Sequence, residues 1–123
     1  MNAVKTLHII TEPTRFRLLQ LLFEHHYCVK ALSKKLDISE PAVSQHMSVL
    51  KKYNIVQGVK IGYQVHYQVN RKLIDSLLNE LLQQVSQYPP EIEMTKDWDC
   101  TCEFISECIK RDSKILEKQG YEK

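Results

Sequence analysis

The chain has 123 residues, of which 43% are hydrophobic and 26% are charged, and its formal net charge is +2. This length is enough for one core of modest size but not for two. No apolar run approaches the roughly 18 residues of a membrane helix, and the first residues lack the pattern of a secretory signal, so we expect a cytoplasmic protein without a membrane segment.

The charge is divided unevenly along the chain. Residues 1–71 contain ten Lys/Arg and four Asp/Glu, a net of +6, whereas residues 72–123 contain seven and eleven, a net of −4. A basic region favours a polyanionic partner and an acidic region does not. The two parts are therefore expected to have different roles.

The first 25 residues predict two helices. Residues 2–10 have apolar side chains at the spacing of a short helix, and Thr11–Glu12–Pro13 is typical of a helix start with proline in the first turn. In the second helix, residues 14–25, the apolar side chains cover more than one stripe. This helix is expected to be buried on most sides or to lie against a second subunit.

The next two predicted helices are joined by a sharp turn. A short amphipathic helix at 27–36 is followed by Asp37–Ile38–Ser39, where Asp37 tolerates the left-handed backbone that such a turn often needs. A second helix then runs to Lys52, with Ser39 as its N-cap. This arrangement is typical of a helix-turn-helix.

The second of these helices has two unlike faces. Val43, Met47 and Leu50 form a single apolar stripe. The opposite face combines small polar groups with a terminal lysine, at Pro41, Ser44, Gln45, Ser48 and Lys52. Amide and hydroxyl side chains read base edges in a DNA major groove and lysines contact phosphates, although a solvated helix face would have a similar composition.

After Lys52 the periodicity changes to that of a hairpin. Val65, Tyr67 and Val69 alternate with polar residues, and Gly62 supplies a permissive backbone for the turn. A basic hairpin directly after a helix-turn-helix is interpreted as a wing, with Lys60 as the expected phosphate contact.

A long apolar stripe predicts a dimerisation helix from Arg71 to Gln87, which Pro89–Pro90 would end. The stripe is too apolar for a helix that faces water, so we expect it to pair with the first helix and with a second copy of the chain. A last helix is predicted over 103–119.

These segments resemble the ArsR/SmtB family of winged-helix, metal-responsive repressors. The resemblance rests on EPTRFRLLQLL at 12–22, YCVKALSKKLDISEPAVSQHMSVLKKYNIV at 27–56 and GVKIGYQVHYQV at 58–69, with Glu12 where the family usually has Asp and Met47 where it usually has Leu. It implies a mainly α fold with a small β-hairpin, homodimeric through its N- and C-terminal helices and bound to double-stranded operator DNA. The DNA-contact positions that it implies are Ser39, Pro41, Ser44, Gln45 and His46 on the helix and Lys60 and Tyr63 on the wing.

The resemblance also divides the chain into a DNA-binding and dimerisation domain, 1–87, and an acidic cysteine-bearing segment, 88–123. One arsenic-sensing pattern of the family, C-V-C-D-L, is incomplete here because Lys30 stands in place of the second cysteine after Cys28. The zinc pattern of the C-terminal dimer helix is absent, since 71–87 contain no histidine.

Three cysteines remain as the candidate sensing site: Cys100, Cys102 and Cys108. Thiolates are soft ligands, and three of them suit As(III) or Sb(III), or else Cd(II), Pb(II) or Zn(II) with a fourth ligand. Asp97, Asp99, Glu103 or Cys28 could supply that ligand.

We therefore expect a repressor that such an ion releases from DNA. The alternative is a thiol-redox repressor in which Cys100 or Cys102 pairs with Cys108. No glycine-rich phosphate loop or nucleophile-plus-base pattern is present, so we do not expect an enzyme.

Overall fold

The computed structural model describes residues 2–91 and 102–107, and the chain divides into two compact units, Met1–Tyr88 and Pro89–Lys123. The elements of the first unit are α1 (Ala3–Ile10), α2 (Pro13–Glu24), β1 (Tyr27–Cys28), α3 (Val29–Leu36), α4 (Glu40–Lys52), β2 (Val56–Ile61), β3 (Gln64–Val69) and α5 (Arg71–Ser86). The fold is mainly helical with one small sheet, as the sequence predicts.

Four of these helices begin with a side chain that accepts a hydrogen bond from a first-turn amide. Asn2 accepts from Lys5, Glu12 from Thr14 and Arg15, Ser39 from Ala42, and Asn70 from Leu73. These acceptors satisfy amides that have no partner within their own helix. The helix boundaries are therefore fixed by local chemistry.

The core lies where α2, α3 and α4 meet. Leu18, Leu19 and Leu32 are fully buried there. The predicted apolar stripe of α4 is confirmed, because Val43, Met47 and Leu50 are 0–1% exposed. Helix α1 packs against α5 and extends the same core through Leu7, Ile10, Ile74 and Leu77.

The sheet has three antiparallel strands in the order β1-β3-β2. The hairpin of β2 and β3 confirms the predicted wing, and Gly62 in its turn has φ +63°. The third strand was not predicted. Tyr27 and Cys28, which the sequence placed in the first turn of a helix, instead pair with Tyr67 and His66, and α3 begins at Val29.

Two asparagines join the end of α4 to the start of α5. Asn54 has a left-handed backbone, φ 61°, and follows Tyr53, the C-cap of α4. Asn70 donates from its side-chain nitrogen to the Asn54 carbonyl at 3.3 Å and from its backbone amide to the Ile55 carbonyl at 2.8 Å. Its side-chain oxygen caps α5 at Leu73.

In the second unit, the described residues 102–107 form a turn that leads into helical backbone at 105–107. The Ile105 amide donates to the Cys102 carbonyl at 3.0 Å. The rest of the helix predicted over 103–119 lies outside the described residues. Across 2–91 and 102–107, no helix is long and apolar enough to cross a membrane.

Candidate nucleic-acid interface and cysteine site

A tight turn positions α4 relative to α3. Asp37 adopts the left-handed backbone that the sequence predicts, with φ 54°. Within the turn, the Ser33 hydroxyl donates to the Ile38 carbonyl, and the Ile38 amide donates back to the Ser33 carbonyl at 3.2 Å. Ser39 then caps α4, its hydroxyl accepting from the Ala42 amide at 3.2 Å. The orientation of α4 is thus set before its first turn.

The outward face of α4 is polar and open to solvent. All of its predicted contact residues except His46 are classed as exposed: Ser39, Pro41, Ser44, Gln45, Ser48 and Lys52. Short hydroxyls and an amide held on a rigid helix can donate to or accept from base edges, and Lys52 can meet a phosphate.

His46 lies on the flank of α4 and contacts α2. Its side chain is 26% exposed, with Nδ1 3.5 Å from an Arg15 guanidinium nitrogen and 3.9 Å from a Glu12 carboxylate oxygen. Arg15 also donates from Nε to the Ile9 carbonyl, at the end of α1, at 2.7 Å. Glu12, Arg15 and His46, called here the interhelix cluster, therefore link α1, α2 and α4.

The Glu12 carboxylate is held in its charged form. Its pKa is lowered below the usual 4.5, chiefly because the Arg15 backbone amide donates to it at 2.9 Å, with a further amide bond from Thr14 and the nearby charges of Arg15 and His46. Burial opposes this shift. The positive end of the α2 helix dipole also favours a charged carboxylate at this position. The proline-containing helix start was visible in the sequence, whereas the contact of Glu12 with His46, 34 positions away, had no local signal.

The wing presents its tip to solvent. Lys60 is exposed near the end of β2, and Tyr63, in the turn after Gly62, is fully exposed. An exposed lysine and a phenol hydroxyl are suited to phosphate contacts. Within the wing the Val65 side chain lies over Gly58, because a Cβ at that position would stand 2.8 Å from Val65 Cγ1.

The predicted cysteine site falls mostly outside the described residues. Cys102 is exposed and its sulfur accepts from the Phe104 amide at 3.4 Å, while Cys100 and Cys108 are not described. Cys28 lies in β1 and is half-buried. Within 2–91 and 102–107, no three His, Cys, Asp or Glu side chains surround a common point. The three-cysteine site therefore stays a prediction.

Comparison with known proteins identifies the family. The model of the family described as "Bacterial regulatory protein, arsR family" matches residues 12–57, which run from the cap of α2 to the start of β2. A solved structure described as a possible transcriptional regulator for arsenical resistance is 33% identical, with 68% of this chain and 96% of that chain covered and a TM-score of 0.51. This chain belongs to the ArsR family.

Other ArsR-like folds resemble the chain at similar levels. HlyU from Vibrio cholerae is 26% identical over 71% of this chain and 94% of its own, with a TM-score of 0.55. The transcriptional repressor BigR from Xylella fastidiosa is 26% identical over 66% and 83%, with a TM-score of 0.54. A comparison with curated protein sequences found no match.

One further structure supports the fold alone. It is a homodimeric winged helix-turn-helix domain from Mycobacterium bovis, 14% identical over 75% of this chain and 88% of its own, with a TM-score of 0.55. These findings confirm the predicted winged helix-turn-helix and make the protein a transcriptional regulator of the ArsR family.

Proposed function

We propose that this ArsR-family protein is a homodimeric repressor, released from operator DNA when As(III) or Sb(III) binds Cys100, Cys102 and Cys108. The observation that carries the DNA-binding part is the face of α4, which exposes Ser44, Gln45, Ser48 and Lys52 while its opposite stripe is fully buried. Such a repressor would act in the cytoplasm.

The homodimer is supported by apolar side chains that the single chain leaves exposed. Leu78, Leu82 and Val85 of α5 are 49%, 62% and 61% exposed, and Val4 of α1 is 51% exposed. Since α1 packs against α5, these residues belong to neighbouring elements. Exposed apolar side chains on two neighbouring elements are typical of an interface between chains. A two-fold dimer would place two α4 helices in successive major grooves, about 34 Å apart.

The wing adds a contact outside the major groove. With α4 in the groove, Lys60 near the wing tip would meet a phosphate and the exposed Tyr63 would lie beside the same DNA backbone.

We assign the DNA-binding and dimerisation domain to residues 1–87 and the sensing segment to 88–123. The interhelix cluster keeps His46 at the flank of α4. We therefore propose that His46 both orients this helix and approaches the DNA.

The inducer is proposed from the chemistry of the ligands. Three thiolates are the soft donors that trivalent arsenic or antimony takes, and the similar structure described as a possible regulator for arsenical resistance supports the same class of signal. Cd(II), Pb(II) or Zn(II) would need a fourth ligand. Binding that favours one arrangement of the dimer over another by about 1–3 kcal/mol would lower DNA affinity roughly 5–150-fold.

DNA binding is tested with Gln45→Ala. Fluorescence anisotropy on a duplex from the protein's own promoter should show an affinity loss equivalent to about 1–3 kcal/mol, because an amide that reads a base edge is removed. Gln20→Ala, on the exposed part of α2, is the matched control and should bind like the parent chain. Equal affinity for both variants would contradict the proposed reading helix.

Sensing is tested with Cys102→Ser in the reduced protein. Arsenite and antimonite should release the parent chain from DNA at stoichiometric amounts and should not release the variant, whose affinity without inducer should be unchanged. Cys28→Ser is the matched control and should respond like the parent chain. Release by cadmium or zinc alone would indicate a four-ligand site, and release by mild oxidant alone would establish the thiol-redox alternative.

A further inference from the structure

Two histidines meet beside the wing, away from the α4 face and from the three cysteines. His26 precedes β1 and His66 lies in the middle of β3. Their Nδ1 atoms are 2.9 Å apart, and their rings are 4.9 Å apart at an interplanar angle of 62°. His26 is exposed and His66 is half-buried, so the point between the two nitrogens is open to solvent.

The strand register brings these side chains together. Cys28 and His66 are directly opposed in the β1–β3 pair, so their side chains share one face of the sheet. His26 lies two residues before Cys28, and alternate residues of an extended segment point to the same face. The pair is thus a consequence of the third strand, which sequence analysis did not predict.

The neighbouring His25 holds the backbone of this turn. Its Nδ1 bonds to the His26 carbonyl oxygen, and its ring lies 4.4 Å from the His26 ring and 5.0 Å from the Tyr27 ring. His25 therefore packs against one side of His26, while His66 lies near its Nδ1. The His26 ring therefore has contacts on two sides, one with His25 and one with His66.

The separation of the two nitrogens has a consequence for coordination. With metal–nitrogen bonds of about 2.0–2.1 Å, two nitrogens 2.9 Å apart subtend an angle of about 90° at the metal. A tetrahedral centre would need them about 3.3–3.4 Å apart. An angle near 90° is that of adjacent positions in a tetragonal complex, which Cu(II) and Ni(II) prefer and which imidazole ligands suit.

We propose that His26 and His66 form a two-histidine site for a divalent ion of tetragonal preference, with solvent in its remaining positions. In the absence of metal, one imidazole donates a hydrogen bond from Nδ1 to the other; when the ion binds, that proton moves through solvent to Nε2 of its own ring and both Nδ1 lone pairs turn toward the ion. Within residues 2–91 and 102–107 no third His, Cys, Asp or Glu joins them at a common point. The site does not depend on the repressor mechanism proposed above.

Nickel(II) is the probe, because the thiol of Cys28 does not reduce it. The full-length chain carrying Cys100→Ser, Cys102→Ser and Cys108→Ser removes competition from the other thiols. Equilibrium dialysis in mildly alkaline buffer should give one nickel ion per chain. Paramagnetic broadening in NMR spectra should be centred on residues 26 and 66.

Single substitutions test the ligands. His26→Ala and His66→Ala should each lower nickel affinity roughly tenfold or more, since one of two protein ligands is lost. His8→Ala, at an exposed histidine of α1, should leave affinity unchanged, and circular dichroism should show that each variant is folded. Cys28→Ser tests the neighbouring thiol and should change affinity less than twofold.

Three results would overturn the site. The first is nickel binding that survives the double variant His26→Ala/His66→Ala. The second is broadening centred elsewhere in the chain. The third is loss of binding in Cys28→Ser, which would show that the pair of histidines is not the ligand set.

Discussion

Helices α4 and α5 both expose one face to solvent, but the chemistry of the two faces differs. Helix α4 exposes hydroxyl, amide and ammonium groups, whereas α5 exposes Leu78, Leu82 and Val85 along one side. A neighbouring side of α5 is also exposed but is polar, with Lys72 and Gln83 among its residues. A polar face is well solvated in water and needs no cover. Exposure of an apolar stripe to water is unfavourable, and covering it with another apolar surface is favourable.

Exposure by itself therefore does not indicate the partner of a helix. The face of α4 can exchange water for base edges and phosphates, so a nucleic acid suits it. The stripe on α5 gains most from an apolar surface like its own, which a second copy of the chain supplies. Changing one face without the other should therefore separate DNA reading from dimerisation.

Leu82→Glu should have the largest effect, because it puts a charge into the proposed apolar interface. Burying an unpaired carboxylate is strongly unfavourable, so we expect a monomer by analytical ultracentrifugation. Loss of the second half-site should weaken operator binding about 100-fold, or about 2.7 kcal/mol. Gln83→Glu adds the same charge to the polar side of α5 and should remain dimeric. If the Leu82→Glu protein were still dimeric, this stripe would not be part of the interface.

Glu12→Gln tests how much the interhelix cluster stabilises the fold and should have an intermediate effect. The lowered pKa of Glu12 means that its charged form stabilises the fold fully above its usual value of 4.5, and that this contribution fades as the pH falls through the folded pKa. We expect a loss of about 1 kcal/mol in urea unfolding at pH 7, the scale of a helix cap.

The difference between Glu12→Gln and the parent chain should shrink in acid, wherever both remain folded. Glu24→Gln, at the exposed end of the same helix, is the control and should change stability little at either pH. A difference that is the same at pH 7 and in acid would show that the charge of Glu12 is not what stabilises this junction.

Lys60→Gln should have the smallest effect. Removing one phosphate contact should lower affinity similarly for all sequences and reduce the slope of log K against log salt by about 1. Lys72→Gln, on the polar side of α5, removes the same charge away from the proposed DNA face. Identical salt slopes for the two variants would exclude a phosphate contact at Lys60.

The sequence predicted those parts of the fold that depend on local signals. The cap at Ser39, the left-handed Asp37, the buried stripe of α4 and the turn at Gly62 each follow from residues within one or two turns of each other. The resemblance to a known family added the arrangement of these parts, and the comparisons confirmed it.

The features that were missed depend on residues far apart in the chain. Strand β1 is two residues long, too short for any periodicity, and exists because β3 offers it an edge. The contacts of His46 with Glu12 and Arg15 and of His26 with His66 span 31 to 40 positions. The three-cysteine site could be proposed only from local density, since its geometry depends on residues outside the described part.

Asn54 and Asn70 tie the end of α4 directly to the start of α5. The hairpin between them leaves and returns at the same place, so the whole wing is bypassed by one side-chain bond of 3.3 Å and one backbone bond of 2.8 Å. If α5 tilted in the proposed dimer, the movement would therefore displace the end of α4, with little of it absorbed in the wing. The wing therefore lies beside the mechanical connection between the two helices and is not part of it.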